Sequence, residues 1–311
     1  MPMCTALALH FTYYRKSKSF AMRCIEPSTF ERLLISYARR FPLRRGKLRA
    51  IDALWRVAAG NRGMQRIAEL RHGGFEMPCN LNEMLQRQCY FFGTYFLEEH
   101  ILECWQNAAK GAKVIFDVGA NAGIYSLVAL ASQRDAIIHA FEPTPEIAAR
   151  LRATANLNGL GKLYVHEVAV SSNNGYATLI RCRGELGTND GMNFICQDQA
   201  ESDGDVVKTV CLDWFCKYHS IDRIDLLKLD IQGHEYSALS GAESLIRAGR
   251  IGTIFMELNW ASEISVVSPA SESIRLLERA GYRFSRPGRC LKWEKAGDWL
   301  RALSDVVARK L

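Results

Sequence analysis

From about residue 111 onward, short apolar runs alternate with stretches whose apolar positions recur every three or four residues. That alternation predicts buried strands separated by helices, the pattern of a mostly parallel α/β sheet with helices on both faces. Strands are expected at Val114 to Phe116, Ile137 to Phe141, Leu163 to Val168, Ile224 to Asp230 and Ile254 to Glu257. Helices are expected from Ile124 to Ala131, from Thr144-Pro-Glu to Asn158-Gly159, after Glu235 through Arg247, and from Ser268-Pro269 to Gly281. The turn Ser171-Ser-Asn-Asn-Gly175 predicts a hairpin that returns Tyr176 to Ile180 onto Leu163 to Val168. Tyr282 to Ser285 with Leu291 to Trp293 can supply a terminal antiparallel pair, which brings the sheet close to seven strands. Residues 182 to 205, rich in Gly, Asn and Asp, read as a long loop, often a substrate lid.

Ahead of this region the pattern changes. Residues 1 to 95 read as helical, with apolar spacings of three and four in Thr29 to Ala38 and Leu48 to Val57, and are expected to form a cap on a main domain at 96–311. Residues 1 to 21 show no clear periodicity, which makes Met22 an alternative start. There is no internal repeat.

With 311 residues and 48% hydrophobic content, the chain can bury a large core. No apolar run approaches the roughly 18 residues needed to span a bilayer. The mildly apolar Met1 to Tyr14 precedes its charges Arg15, Lys16 and Lys18, the wrong order for a secretory signal, so a cytoplasmic location is expected. Ten irregularly spaced cysteines without a Cys-x-x-Cys pair are expected to be reduced, and no structural metal is expected. Net charge is +7, but residues 1 to 72 carry +11 and the remainder −4. The basic run Arg39 to Arg49 suits nucleic acid, anionic lipid or an acidic substrate, or is simply a solvated helical face.

Chemistry concentrates where strands end. Val114-Ile-Phe-Asp-Val-Gly-Ala-Asn-Ala-Gly-Ile124 is a strand that meets an acid and turns through two glycines into a helix. Glu142 ends the next strand nineteen residues beyond Gly123, the spacing at which an acid accepts hydrogen bonds from ribose hydroxyls. Gly119-Ala-Asn-Ala-Gly123 lacks the G-x-G-x-x-G spacing that receives a pyrophosphate, and Asp117 would repel one. An acid there suits the ammonium of a methionine moiety, so an adenosyl cofactor fits better than a dinucleotide. Asp117, Glu142, Asp230 and Glu257 each end an expected strand and should line one cleft. Asp230 with Glu257 could bind a divalent ion, although nothing in the spacing demands it. His139 and His166 read as core or sheet-face residues.

The motif D-x-G-x-N-x-G resembles the first motif of class I S-adenosylmethionine-dependent methyltransferases. Further blocks make the resemblance specific: Phe-Glu142-Pro143, Asn156-Leu-Asn158-Gly-Leu, Ala169, Thr209-Val-Cys-Leu-Asp213 and Leu-Lys228-Leu-Asp230-Ile-Gln-Gly233-His-Glu235. In that order they are similar to the FkbM family of methyltransferases, over roughly residues 90 to 260. Gly93-Thr-Tyr95 and Glu98 are similar to the segment that leads into that domain. The resemblance implies a Rossmann-like fold, S-adenosylmethionine as cofactor, and O-methylation of a hydroxyl on a sugar, glycolipid or secondary metabolite. It implies that Asp117, Gly119, Asn121 and Gly123 hold the methionine end, that Glu142 holds the ribose and that Ala169 borders the adenine. Asp230 and Glu235 would face the transferred methyl.

An alcohol is a poor nucleophile and benefits from a base that removes its proton. Asp230 is the first candidate, with His234 as the alternative and Glu235 as its orienter. Each has a plainer role open to it: Asp230 as a helix cap, His234 as a helix-end hydrogen-bond partner. Three other functions stay open on sequence. They are a nucleic-acid methyltransferase gripping phosphates through the basic region, a non-catalytic cofactor- or partner-binding module, and, weakest, a dehydrogenase.

Overall fold

The computed structural model describes residues 25–41, 45–59, 64–181, 183–184, 187–188, 193–196, 204–258, 269–288, 291–297, 300 and 305–310. The expectations for residues 1 to 24, for Ser268 as a cap and for much of 182 to 205 lie outside the described residues.

Helix α1 (Thr29–Arg40) begins at a capping box. The Glu31 amide donates to Ser28 Oγ at 3.2 Å, and the Ser28 amide donates to the Glu31 carboxylate at 2.6 Å. Helix α2 (Lys47–Ala59) follows. Helix does not continue to residue 95 as expected, because β1 (Gln65–Glu69) and β2 (Glu76–Asn80) pair antiparallel. The cause is a change of period from 3.6 to 2: Arg66, Ala68 and Leu70 are buried while Ile67 and Glu69 are exposed. Gly73 and Gly74 adopt left-handed φ of 72° and 64° in the connecting turn. Buried Arg66 pairs with Glu31 at 2.8 Å and ties the hairpin to α1. Helix α3 (Met84–Phe92) stops at left-handed Gly93, and a single 3-10 turn leads into α4 (Glu99–Ala109).

The main sheet then opens with β3 (Val114–Val118), α5 (Ile124–Ser132), β4 (Ile137–Phe141), α6 (Pro145–Leu157) and β5 (Leu163–His166). Next come β6 (Ala169–Val170), β7 (Gly175–Ile180), β8 (Arg183–Gly184), β9 (Gly187–Thr188), β10 (Phe194–Cys196) and β11 (Asp205–Val210). The chain returns through α7 (Leu212–Tyr218), β12 (Ile224–Leu229), α8 (Glu235–Ser240), α9 (Glu243–Arg247) and β13 (Ile251–Glu257). It closes with α10 (Pro269–Arg279), β14 (Tyr282–Ser285) and β15 (Asp305–Lys310).

Seven strands lie in the order β14-β15-β13-β12-β3-β4-β5. The five from β13 to β5 run parallel, and β15 is antiparallel to both of its neighbours. Leu291 to Trp293 therefore do not form the terminal pair; beside them Glu294 makes only an isolated bridge to Phe284. An interior strand must be apolar on both faces, and Val306-Val307-Ala308 is, whereas Leu291-Lys-Trp-Glu294 interleaves charges. The expected hairpin is also replaced. β7 pairs with β10 and β11 in a second, four-stranded sheet, and β5 stays in the main one.

The helix expected to run through Arg247 breaks at Gly241, where a Cβ would lie 2.2 Å from the Ser171 carbonyl oxygen. One hydrophobic cluster joins α1, α2, the hairpin, α3, α4 and α5 to one sheet face, through Trp55, Phe91, Trp105 and Ile115. A second cluster, with Phe116, Phe215, Leu227 and Ile254, joins α7 to α10 to the other face. No helix among the described residues is long and apolar enough to cross a membrane.

Candidate active site

The sheet grows outward from β3 in one direction and from β12 in the other, which leaves a crevice beyond the carboxyl ends of those two strands. Backbone geometry shapes its floor. Gly119, Asn121 and Gly123 take φ of 76°, 47° and 83°, and the Gly119 and Ala120 amides both donate to the Phe141 carbonyl at 3.0 Å. Gly119 has to be glycine because a Cβ would stand 2.0 Å from the carbonyl oxygen of Asp230. The Asp230 amide in turn donates to the Val118 carbonyl at 3.2 Å, so the loops after β3 and β12 are stitched together.

A cavity, partly open to solvent, fills the crevice. Gly119, Asn121, Glu142, Ala169, Asp230 and His234 all line it. Asp117, Gly123 and Glu235, expected beside them, do not.

Asp117 does not end its strand but lies within it, 1% exposed, and its Oδ2 accepts from the Ser126 amide at 3.0 Å and hydroxyl at 2.6 Å. It anchors α5 from beneath. Burial raises its carboxyl above the ordinary range, opposed by the Lys228 charge and the Ser126 bonds. Gly123 sits at the α5 N-cap against Leu151. Glu235 turns its Oε1 back to accept from the Ile231 amide at 3.2 Å and the Gly233 amide at 3.1 Å, holding the loop rather than facing the cavity.

Glu142 bridges two loops, accepting from the Asn121 amide at 3.0 Å and the Thr144 amide at 2.8 Å. The Thr144 hydroxyl beside it is buried with no hydrogen-bond partner among the described residues. Leu179 and Ile195 from the second sheet and Val168 supply an apolar wall opposite. A bridging acid, an orphaned hydroxyl, backbone that approaches closely and apolar walls together fit an adenosyl group.

Around Asp230, behind the cavity wall, the side chains are charged. Lys228 Nζ lies 2.6 Å from Asp230 Oδ2. Gln232, itself left-handed at φ 53°, donates one amide nitrogen to Asp230 Oδ1 at 3.1 Å and to Glu257 Oε2 at 2.9 Å. Burial alone would raise the Asp230 carboxyl, but the Lys228 ammonium and the hydrogen bonds around it prevail and hold it below the usual range. Burial, followed by the Asp230 charge, pushes Glu257 up to about 8, so one acid is ionised and its neighbour protonated at neutral pH. Burial disfavours the Lys228 ammonium, but the Asp230, Glu98 and Asp117 carboxylates outweigh it and raise the group. Lys228 also sits 3.9 Å from the Tyr125 ring centroid, and the Tyr125 hydroxyl donates to Glu98 at 2.5 Å.

This network of Glu98, Tyr125, Lys228, Gln232 and Glu257 around Asp230 was not anticipated as a unit. Its sequence signal is a lysine in the apolar run Leu226 to Leu229 of β12, which a parallel strand tolerates only with a buried counter-charge. His234 Nε2 lies 2.9 Å from Ser171 Oγ, and burial lowers the ring to about 4, so it is neutral. His139 and His166 stack on each other and meet Phe215 edge-on at the sheet face, outside the cavity lining.

The strand order, the left-handed glycine loop after β3 and the acid after β4 define a Rossmann-like fold of the methyltransferase type. A family model described as the methyltransferase FkbM domain matches residues 117–284. The chain belongs to that family, whose cofactor is S-adenosylmethionine. It is 29% identical over 152 residues to the 2-O-methyltransferase NoeI of Sinorhizobium fredii, covering 45% of this chain and 62% of that protein. With the 31-O-demethyl-FK506 methyltransferase FkbM of Streptomyces tacrolimicus it shares 32% over 155 residues, 42% of this chain and 59% of the other. The chain thus spans about three fifths of the length of these two relatives. The solved structure of a SAM-dependent methyltransferase from Agrobacterium tumefaciens aligns with a TM-score of 0.41 at 10% identity, over 80% of this chain and 70% of that one.

Proposed function

We propose that this chain transfers the methyl group of S-adenosylmethionine to a hydroxyl oxygen of a sugar, glycolipid or secondary metabolite. The observation that carries the reading is Asp230, an ionised carboxylate at the cavity wall whose position is held by Lys228 and Gln232. Both relatives named above are O-methyltransferases by name, which supports oxygen as the receiving atom.

In this reading Glu142 accepts from the ribose hydroxyls, Gly119 and Asn121 lie along the methionine end, and Ala169 borders the adenine. Asp117 and Gly123 act from beneath, by fixing α5 and its entry. Bound S-adenosylmethionine supplies an already activated methyl group. Asp230 would accept a hydrogen bond from the acceptor hydroxyl, aim its oxygen, and take its proton as that oxygen bonds the methyl carbon and the carbon–sulfur bond breaks, with neutral S-adenosylhomocysteine as the leaving group. Because Lys228 makes that carboxylate a weak base, orientation supplies most of the acceleration and proton removal the smaller share. Neutral His234 is the alternative proton acceptor, and Glu235 keeps the 230–234 loop in place for either.

Incubation with methyl-labelled S-adenosylmethionine and cell extract, followed by mass spectrometry of labelled products, tests the proposal. A labelled O-methyl ether on a small molecule or glycan supports it. Label confined to nucleic acid, or to nitrogen or carbon, overturns it.

A further inference from the structure

A surface far from the chemistry stands out by composition. Eight of the seventeen large apolar side chains exposed among the described residues fall between Ile25 and Ile67. On α1 and its C-cap, Phe30, Leu33, Tyr37 and Phe41 recur at helical spacing beside buried Leu34 and Ala38, and Leu33 is 64% exposed. On α2, Leu54 and Val57 lie beside buried Ile51 and Trp55, and Val57 is 88% exposed. Singly such residues are ordinary; gathered on two adjoining helices they mark an interaction surface.

Charge on the same helices is one-sided. Arg40, Arg45, Arg49 and Arg56 are exposed, while Glu31 is buried against Arg66 and Asp52 pairs with Arg87; Arg32 is exposed too, but it pairs with Glu26 at 3.7 Å and donates to the Pro27 carbonyl. Arg39 is excluded from this group because it donates to the Glu69 and Phe91 carbonyls. A second copy of the same face would oppose arginine to arginine. Nucleic acid would use the arginines and aromatics but has no use for Leu33, Leu54 and Val57. An anionic bilayer uses both sets, apolar side chains entering the headgroup boundary and arginines reaching phosphates. We propose that the α1–α2 surface docks this protein onto anionic membranes.

Co-sedimentation of the full chain with vesicles tests this, using phosphatidylcholine alone and phosphatidylcholine with about a third phosphatidylglycerol. Expected is binding to the anionic vesicles only, weakened by salt, and reduced about five-fold for each arginine removed among Arg40, Arg49 and Arg56. Leu33→Asp with Val57→Asp should lose binding at least about ten-fold without moving the melting temperature, since both side chains are exposed. The charge reversal Arg40→Glu with Arg49→Glu is the second, fold-neutral test and should abolish binding. Failure of the wild type to bind overturns the proposal, as does binding that ignores these substitutions. Self-association abolished by Leu33→Asp, or tighter binding to single-stranded RNA than to vesicles, overturns it equally.

Discussion

The two loops that meet at the base of the cavity, 119–123 and 230–234, carry acids at matching places yet use them in opposite ways. Around the first, Asp117 and Glu142 accept backbone and hydroxyl donors, so their charge is spent on fixing local geometry. Around the second, Asp230 and Glu257 share Gln232 and sit beside a buried ammonium, which splits them into one ionised and one protonated acid. One loop is thus shaped by backbone donors and the other by charge. A strand-end carboxylate has no fixed role; the donors around it decide.

The sharpest way to break this contrast is Lys228→Met, which strands the Asp230, Glu98 and Asp117 carboxylates without their cation. A loss of about 3–5 kcal/mol is expected in chemical denaturation, partly recovered in acid as the carboxylates take up protons. Gly119→Ala attacks the other loop through its left-handed φ and its contact with Asp230. It should cost about 2–4 kcal/mol and abolish S-adenosylmethionine binding in calorimetry. Asp230→Asn should reduce methyl transfer about 100-fold while cofactor affinity stays within a few-fold, separating the two ends functionally. Thr144→Val removes an orphaned hydroxyl, so the free protein should hold or gain slightly in melting temperature while cofactor affinity falls about five-fold.

A further effect concerns pH. Folding keeps the Glu257 proton up to about pH 8, against an ordinary value of 4.5. Its contribution to stability is therefore complete below about 4.5 and lost as pH rises to about 8, and Glu257→Gln should flatten that decline in thermal melts. His139 and His166, lowered by burial to about 4 and about 3, act in the other direction, with stability present above 6.5 and lost as pH falls through those values.

Much of the parallel core was legible because each strand is a short apolar run ending near an acid, and glycines mark the turns. Location along a strand does not say where a side chain turns. Asp117 and Glu142 look alike in sequence, but Asp117 lies within its strand and finds Ser126, whereas Glu142 lies one residue past Phe141 and reaches the cavity. Glu235 was expected at the methyl group; two amides of its own loop claim it instead. Hairpin β1–β2 was missed because its apolar content is modest and helical neighbours flank it. β15 was missed because its apolar core is only three residues, Val306 to Ala308, and its place between β13 and β14 is set by partners distant in sequence.

No Cβ fits between Gly119 and the Asp230 carbonyl, and the Asp230 amide donates to the Val118 carbonyl, so the two loops are packed directly on each other. A ligand that orders the first is expected to order the second. Donor and acceptor molecules should therefore strengthen each other's binding, and thermodynamic reciprocity requires the same factor in both directions.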